Sequence, residues 1–184
     1  MAKIATIDRI NPSTDNRFAN SGVALQTALP ASRLSFRATT KGAKAFGKSL
    51  GIELPTQPGT STNSAGRSAL WIGPDEWLII DQKNPVDALM PKRPNREFSA
   101  VDVSHRNMAF LISGAGAVNT INAACPRDLS LTAFPVGSVS RTIFGKAEIV
   151  LLRTGKESFR MECWRSFAPY VWDMLLVAAK DSGD

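Results

Sequence analysis

The chain has 184 residues, of which 43% are hydrophobic, and a net charge of +6. That length fits one medium domain, or two small subdomains sharing a core, and buries roughly 70% of the unfolded surface without staples. Two cysteines in apolar surroundings, Cys125 and Cys163, and a single histidine supply no metal-ligand spacing and read as two reduced, buried thiols.

Residues 1–30 are polar and irregular, with Asn11-Pro12-Ser13-Thr14-Asp15-Asn16, and predict an extended N-terminal arm. The opening "MAKIATIDRINPSTDNR" lacks the apolar core of a signal peptide. The late apolar run "YVWDMLLVAAK" is interrupted by Asp173 and is too short to span a bilayer. These features predict a soluble cytoplasmic protein with no membrane partner.

"SRLSFRATT" alternates, with Leu34 and Phe36 on one face of a strand. "KGAKAFGKSLG" places Ala43, Phe46 and Leu50 at helical spacing and stops at Gly51. The Pro-, Gly-, Ser- and Thr-rich stretch from Leu54 to Arg67 predicts a loop. "SALWIGPDEWLII" then reads as a hairpin, because Gly73-Pro74-Asp75-Glu76 has type I turn chemistry. A two-residue loop pairs Ile72 with Trp77. It puts Trp71 with Leu78 and Ile80 on one face, and Trp77 with Leu70, Ile72 and Ile79 on the other. Both faces are apolar and need cover. The paired acids at the tip read as structural, since acid–base work needs a desolvated carboxylate.

"NPVDALM" predicts a short helix capped by Asn84, with Pro85 first. Positive charge is densest at Lys92, Arg93 and Arg96, beside prolines. It reads as a solvated loop without the length or aromatics of a nucleic-acid stripe. "FSAVDVSHRNMAFLISG" predicts a long strand region, and "AGAVNTINAAC" a helix packing Val118 and Ile121. Asp102, Ser104 and His105 are hydrolase-triad residue types. On a strand, however, Asp102 and Ser104 share one face and His105 the other, so they form no relay.

"SVSRTIFGKAEIVLLRTGKESFRMECW" predicts a strand, a turn and a strand, with Leu151 opposite Met161, Ile149 opposite Cys163 and Leu152 opposite Arg160. Its second, mixed face is expected to meet solvent or a partner. "SFAPYVWDMLLVAAK" closes the chain as a helix, with Ser166 as cap and Pro169 in its first turn. The order β–α–β–β–α occurs twice. It predicts an α+β fold with antiparallel sheets: an arm over 1–30, then one domain over 31–184 with pseudo-repeat halves at about 31–97 and 98–180.

"WIGPDEWL", "DVSHRNMAF", "CPRDL", "FPVGS", "RTIFGKAEIVLLR" and "WRSFAPYVW" together resemble the gamma subunit family of heterotetrameric sarcosine oxidase. More distantly, "DVSHR" through "FPVGS" is similar to the opening half of the folate-binding aminomethyltransferases of glycine cleavage. The resemblance implies an accessory, non-catalytic chain bound to alpha, beta and delta subunits. It implies oxidative demethylation of sarcosine to glycine by the assembly, yielding hydrogen peroxide with formaldehyde or methylene-tetrahydrofolate. FAD, FMN, NAD, tetrahydrofolate and zinc are then expected in the partners and none in this chain. No catalytic, cofactor-binding or metal-binding residue is assigned. Trp71, Trp77 and Trp164 are the interface candidates, as large aromatic anchors. The alternative is a stand-alone folate- or tRNA-binding module of the aminomethyltransferase superfamily.

Overall fold

Alternating and helical patterns fold into two antiparallel sheets in a computed structural model that describes residues 16–91 and 97–181. Strands β3 (Ser32–Ala38), β4 (Ser61–Ser64), β5 (Arg67–Gly73), β6 (Glu76–Asp81) and β7 (Phe98–Asp102) form a five-stranded sheet in the order β4-β5-β6-β3-β7. Strands β1 (Arg17–Ala19), β2 (Ala24–Thr27), β8 (Asn107–Ser113), β9 (Val139–Phe144), β10 (Ala147–Gly155) and β11 (Ser158–Trp164) form a six-stranded sheet in the order β1-β2-β8-β11-β10-β9. Helix α1 (Thr40–Leu50) covers the outer face of the first sheet, and α2 (Ala117–Asn122) and α3 (Ala168–Asp181) the outer face of the second. The inner faces meet through Leu70, Leu78 and Ile80 on one side and Val139, Val150 and Leu152 on the other.

Strand for strand, β4-β5-β6-β3-β7 repeats the order β9-β10-β11-β8-β2. The leading strands are exchanged. β2 runs into β3 but pairs with β8, and β7 runs into β8 but pairs with β3.

Helix α1 forms as expected. Thr39 caps it by accepting from Gly42 N at 3.1 Å, Ala43 and Phe46 are buried, and Gly51 ends it at φ 67°, a left-handed value that favours glycine. Leu34 and Phe36 share the buried face of β3, and Phe36 stacks on Phe46 at 4.1 Å. The predicted pairs Leu151–Met161, Ile149–Cys163 and Leu152–Arg160 are all present.

Several expectations are corrected. Within the extended arm expected over 1–30, residues 17–19 and 24–27 form strands, because Val23 and Leu25 have a core to fill, while residues 1–15 lie outside the described residues. The basic cluster Lys92, Arg93 and Arg96 also lies outside them. Within the predicted 54–67 loop, all-polar β4 pairs with β5 through a turn at Ala65 and Gly66, both at positive φ. The region 98–113 breaks into β7 and β8 in different sheets, with a turn at Ser104–Arg106 between them. Residues 139–164 make three strands, since Gly145, at φ 59°, turns β9 into β10. "NPVDALM" yields only a 3₁₀ turn at Val86–Ala88, because Asn84 is held by the Asp81 carboxylate instead of capping. A 3₁₀ turn at Arg165–Phe167 leads directly into α3, where Ser166 was expected as a cap.

The largest correction concerns faces. Trp71 pairs with Trp77 and Gly73 with Glu76, so Ile72 is an extra residue and a bulge turns Trp71 to the other side. The same bulge recurs at Thr154, with Gly155 opposite Ser158. The mixed face of β10 and β11 stays exposed only at its end, at Glu148 and Trp164. The rest of it, Val150, Leu152, Arg160 and Glu162, forms the seam between the sheets, where Glu162 is 1% exposed.

Cys163 points the other way, into the core under α3. Burial, then the neighbouring Glu162 carboxylate, push its thiol up to about 12. Cys163 is therefore expected to label slowly in the folded chain and rapidly in denaturant. Equal labelling rates in the two conditions would contradict this packing.

Candidate functional site

The charges buried at the seam are three residues from two strands. Arg33 Nε donates to Glu162 Oε2 at 2.6 Å and Arg160 Nε to Glu162 Oε1 at 2.8 Å. Arg33 Nη1 donates to the Ala31 carbonyl, and Arg160 Nη2 lies 2.7 Å from Glu162 Oε1 outside hydrogen-bonding geometry. Burial raises the Glu162 carboxyl, but the Arg160 and Arg33 guanidiniums outweigh it and hold it below its ordinary 4.5. The cluster bolts β3 of one sheet to β11 of the other.

Arg153 is a third buried cation, and it binds carbonyls. Its Nη1 donates to Leu129 O and Phe134 O at 2.8 Å each, Nη2 to Lys156 O at 2.6 Å, and the guanidinium lies 4.8 Å from the Phe159 ring centroid. It fixes the "CPRDL…FPVGS" loop against the β10–β11 hairpin.

The suspected triad residues serve the backbone. Asp102 Oδ1 accepts from Ser104 N at 2.8 Å and Ser104 Oγ at 2.5 Å, and Ser104 Oγ accepts from Arg33 N at 2.9 Å. His105 is exposed beyond them. The hairpin acids also make ion pairs: Asp75 with Arg37 at 2.8 Å and Glu76 with Arg141 at 3.5 Å.

The three tryptophans separate. Trp77 is 4% exposed and its indole N–H donates to Pro55 O at 2.8 Å, so it packs as part of the core. Trp71 is half-buried and lines a cleft of about 730 Å³ with Ala43, Gly47, Ile52 and Leu54, rimmed by Lys44 and Lys48. Trp164 is 41% exposed and lies against Phe167 at 6.2 Å, with the Arg106 guanidinium 5.4 Å from its ring centroid. The bulge at Ile72 is what separates Trp71 from a full core position. Arg106 was not singled out by spacing, because only the β8–β11 pairing brings it to Trp164, whereas Arg165 and Phe167 adjoin Trp164 in sequence.

This two-sheet arrangement is the fold of the glycine cleavage aminomethyltransferases. The aminomethyltransferase T of Bartonella henselae superposes with a TM-score of 0.60 at 11% identity, covering 92% of this chain and 58% of that one. That likeness is one of fold alone. The chain belongs to the sarcosine oxidase gamma subunit family, which it matches over residues 37–181. It is 27% identical to the sarcosine oxidase subunit gamma of Corynebacterium sp. (strain U-96) over 86% of this chain and 80% of that protein. It is 30% identical to that of Arthrobacter sp. over 74% of this chain and 70% of that protein. A chain of the heterotetrameric sarcosine oxidase from Corynebacterium sp. U-96, solved with pyrrole 2-carboxylate, superposes with a TM-score of 0.83 at 25% identity, covering 91% of this chain and 88% of that one.

Proposed function

We propose that this chain is the gamma subunit of a heterotetrameric sarcosine oxidase, an accessory subunit docked on alpha, beta and delta subunits. The observation that carries the reading is the near-complete superposition on a chain of a solved heterotetramer. The assembly oxidatively demethylates sarcosine to glycine, giving hydrogen peroxide and formaldehyde or methylene-tetrahydrofolate. FAD, FMN, NAD, tetrahydrofolate and zinc are carried by the partner subunits, and the complex works in the cytoplasm. The engagement of Asp102, Ser104, Asp75, Glu76, Glu162 and Arg153 in structural contacts supports a non-catalytic role. No helix among the described residues is long and apolar enough to cross a membrane. The half-buried Trp71 and the exposed Trp164 are the docking anchors. The two halves, about 31–97 and 98–180, are read as a duplicated unit, supported by their shared strand order. A stand-alone folate- or tRNA-binding module is the less favoured reading.

Co-expression with the larger subunits is the test. The chain is expected to co-elute with them in size exclusion, as part of a complex that forms hydrogen peroxide from sarcosine, and to be colourless when made alone. A yellow, flavin-loaded preparation of the chain by itself overturns the assignment of the flavins to the partners. A monomer that binds folate or tRNA and ignores the large subunits overturns the subunit reading.

A further inference from the structure

We propose that the surface formed by Arg106, Trp164, Arg165 and Phe167 docks an acidic segment of a partner subunit. A carboxylate of that segment sits on the two guanidiniums and an apolar side chain lies on the indole. The proposal rests on the subunit reading above and adds the face and the chemistry of what it receives.

The fold builds this surface from two directions. Pairing of β8 with β11 sets Asn107 opposite Trp164, and Arg165 N donates to Arg106 O at 2.7 Å. The two arginines therefore start from backbone positions locked together. Arg106 Nε is held by Asn107 Oδ1 at 3.1 Å, which leaves its guanidinium close to the Trp164 ring. Cation–π contact and the tilted Trp164–Phe167 pair fix the indole before a partner arrives, which lowers the ordering cost of docking. Ser166 and Pro169 complete a shallow groove beside it. Trp164 and Phe167 remain 41% and 39% exposed, a large apolar area to leave in water.

Charge selects the occupant. The nearby acids are already taken: Glu76 and Glu148 by Arg141, and Glu162 by Arg33 and Arg160. Among the described residues, neither Arg106 nor Arg165 forms an ion pair with a carboxylate. Two arginines lining a groove beside an indole, one of them held on its ring, suit a carboxylate followed by an apolar side chain, and Trp and Arg are the residues that dominate interface energies. Two arginines make too short a track for a phosphate backbone, so an acidic protein segment is favoured over nucleic acid. The groove of Tyr170, Met174 and Val177 between α2 and α3 carries Asp173 and Asp181 instead, and so repels the same segment. The two charge signs orient the partner about α3.

Hydrogen–deuterium exchange of the full chain, alone and in the co-purified complex, tests the face. Residues 164–170 are expected to gain protection on assembly. The double variant Arg106→Glu, Arg165→Glu is expected to keep the melting temperature of the free chain and to lower recovery of the complex about tenfold or more. Lys83→Glu with Lys156→Glu, exposed and away from both tryptophan clefts, serves as the control and should leave recovery unchanged. Absent protection of 164–170, or unchanged recovery of the arginine variant, overturns the proposal while the subunit reading stands. tRNA binding lost in that variant with recovery unchanged assigns the patch to nucleic acid and overturns it. A wild-type chain that joins no subunit removes both readings.

Discussion

Replacing Glu162 with alanine is expected to destabilise the folded chain by about 3–5 kcal/mol, because two guanidiniums are left buried without their counter-ion. Arg33 and Arg160 are 3% and 6% exposed and cannot reach water without opening the seam between the sheets. Glu162→Gln keeps the shape but not the charge, and should recover only a small part of the loss. The effect has a pH signature. Glu162 titrates below its unfolded value, so its stabilisation is present above the ordinary carboxylate range and is lost as pH falls through the folded value. Asp81 behaves in the same sense. Burial raises its carboxyl, but donors from Lys83, Asn84 and Arg67 outweigh that and bring it from 3.8 to about 2. Stability is therefore expected to fall steeply below about pH 4, with a shallower slope in Glu162→Gln. Denaturant melts of both proteins across pH 2–7 check this. Equal slopes, or a Glu162→Ala loss under 1 kcal/mol, would show that the seam relaxes around the charges.

The second large effect concerns the tryptophan pair. Trp77→Ala is expected to cost about 3–5 kcal/mol, the usual range for a buried aromatic, and it also strands the Pro55 carbonyl. Its ring lies 6.1 Å from Phe36, which in turn stacks on Phe46 of α1, so the cavity falls inside one continuous cluster. Trp71→Ala, in the cleft wall, should cost about 1–2 kcal/mol in the free chain, since only part of its area leaves water on folding. Thermal or chemical unfolding of the two variants side by side is the measurement. Equal losses would mean that the bulge at Ile72 does not hold in solution.

That bulge marks where sequence patterning stops being sufficient. Alternation identified β3 and β6 because Leu34, Phe36, Trp77 and Ile79 are strongly apolar and one face had to be buried. It set the β10–β11 register through Cys163 and Met161 for the same reason. It failed at β4, whose Ser-Thr-Asn-Ser sequence carries no hydrophobic period and is held by ladder bonds and by the Thr60–Ser138 bridge to the other sheet. It failed on the mixed face of β11, because Arg160 and Glu162 read as solvated until Arg33 is brought in from a distant strand. The same holds at the site: Trp164 was legible as a large anchor with Arg165 next to it, but Arg106, which lies on its ring, is brought there by pairing between β8 and β11.

The exchanged leading strands bear on the order of events at synthesis. β2 finds its partner only when β8 exists, and β3 lacks its outer neighbour until β7 has been made. Cutting the chain near residue 97 leaves each half holding a strand that belongs to the other, the intramolecular counterpart of a domain swap. Neither fragment can close its own sheet edge, and open edges invite aggregation. Collapse to the native state therefore waits on contacts far apart in sequence, which makes folding slow and a stable half-folded intermediate unfavourable. Newly made gamma chains are thus expected to remain dependent on chaperones until the last strands leave the ribosome.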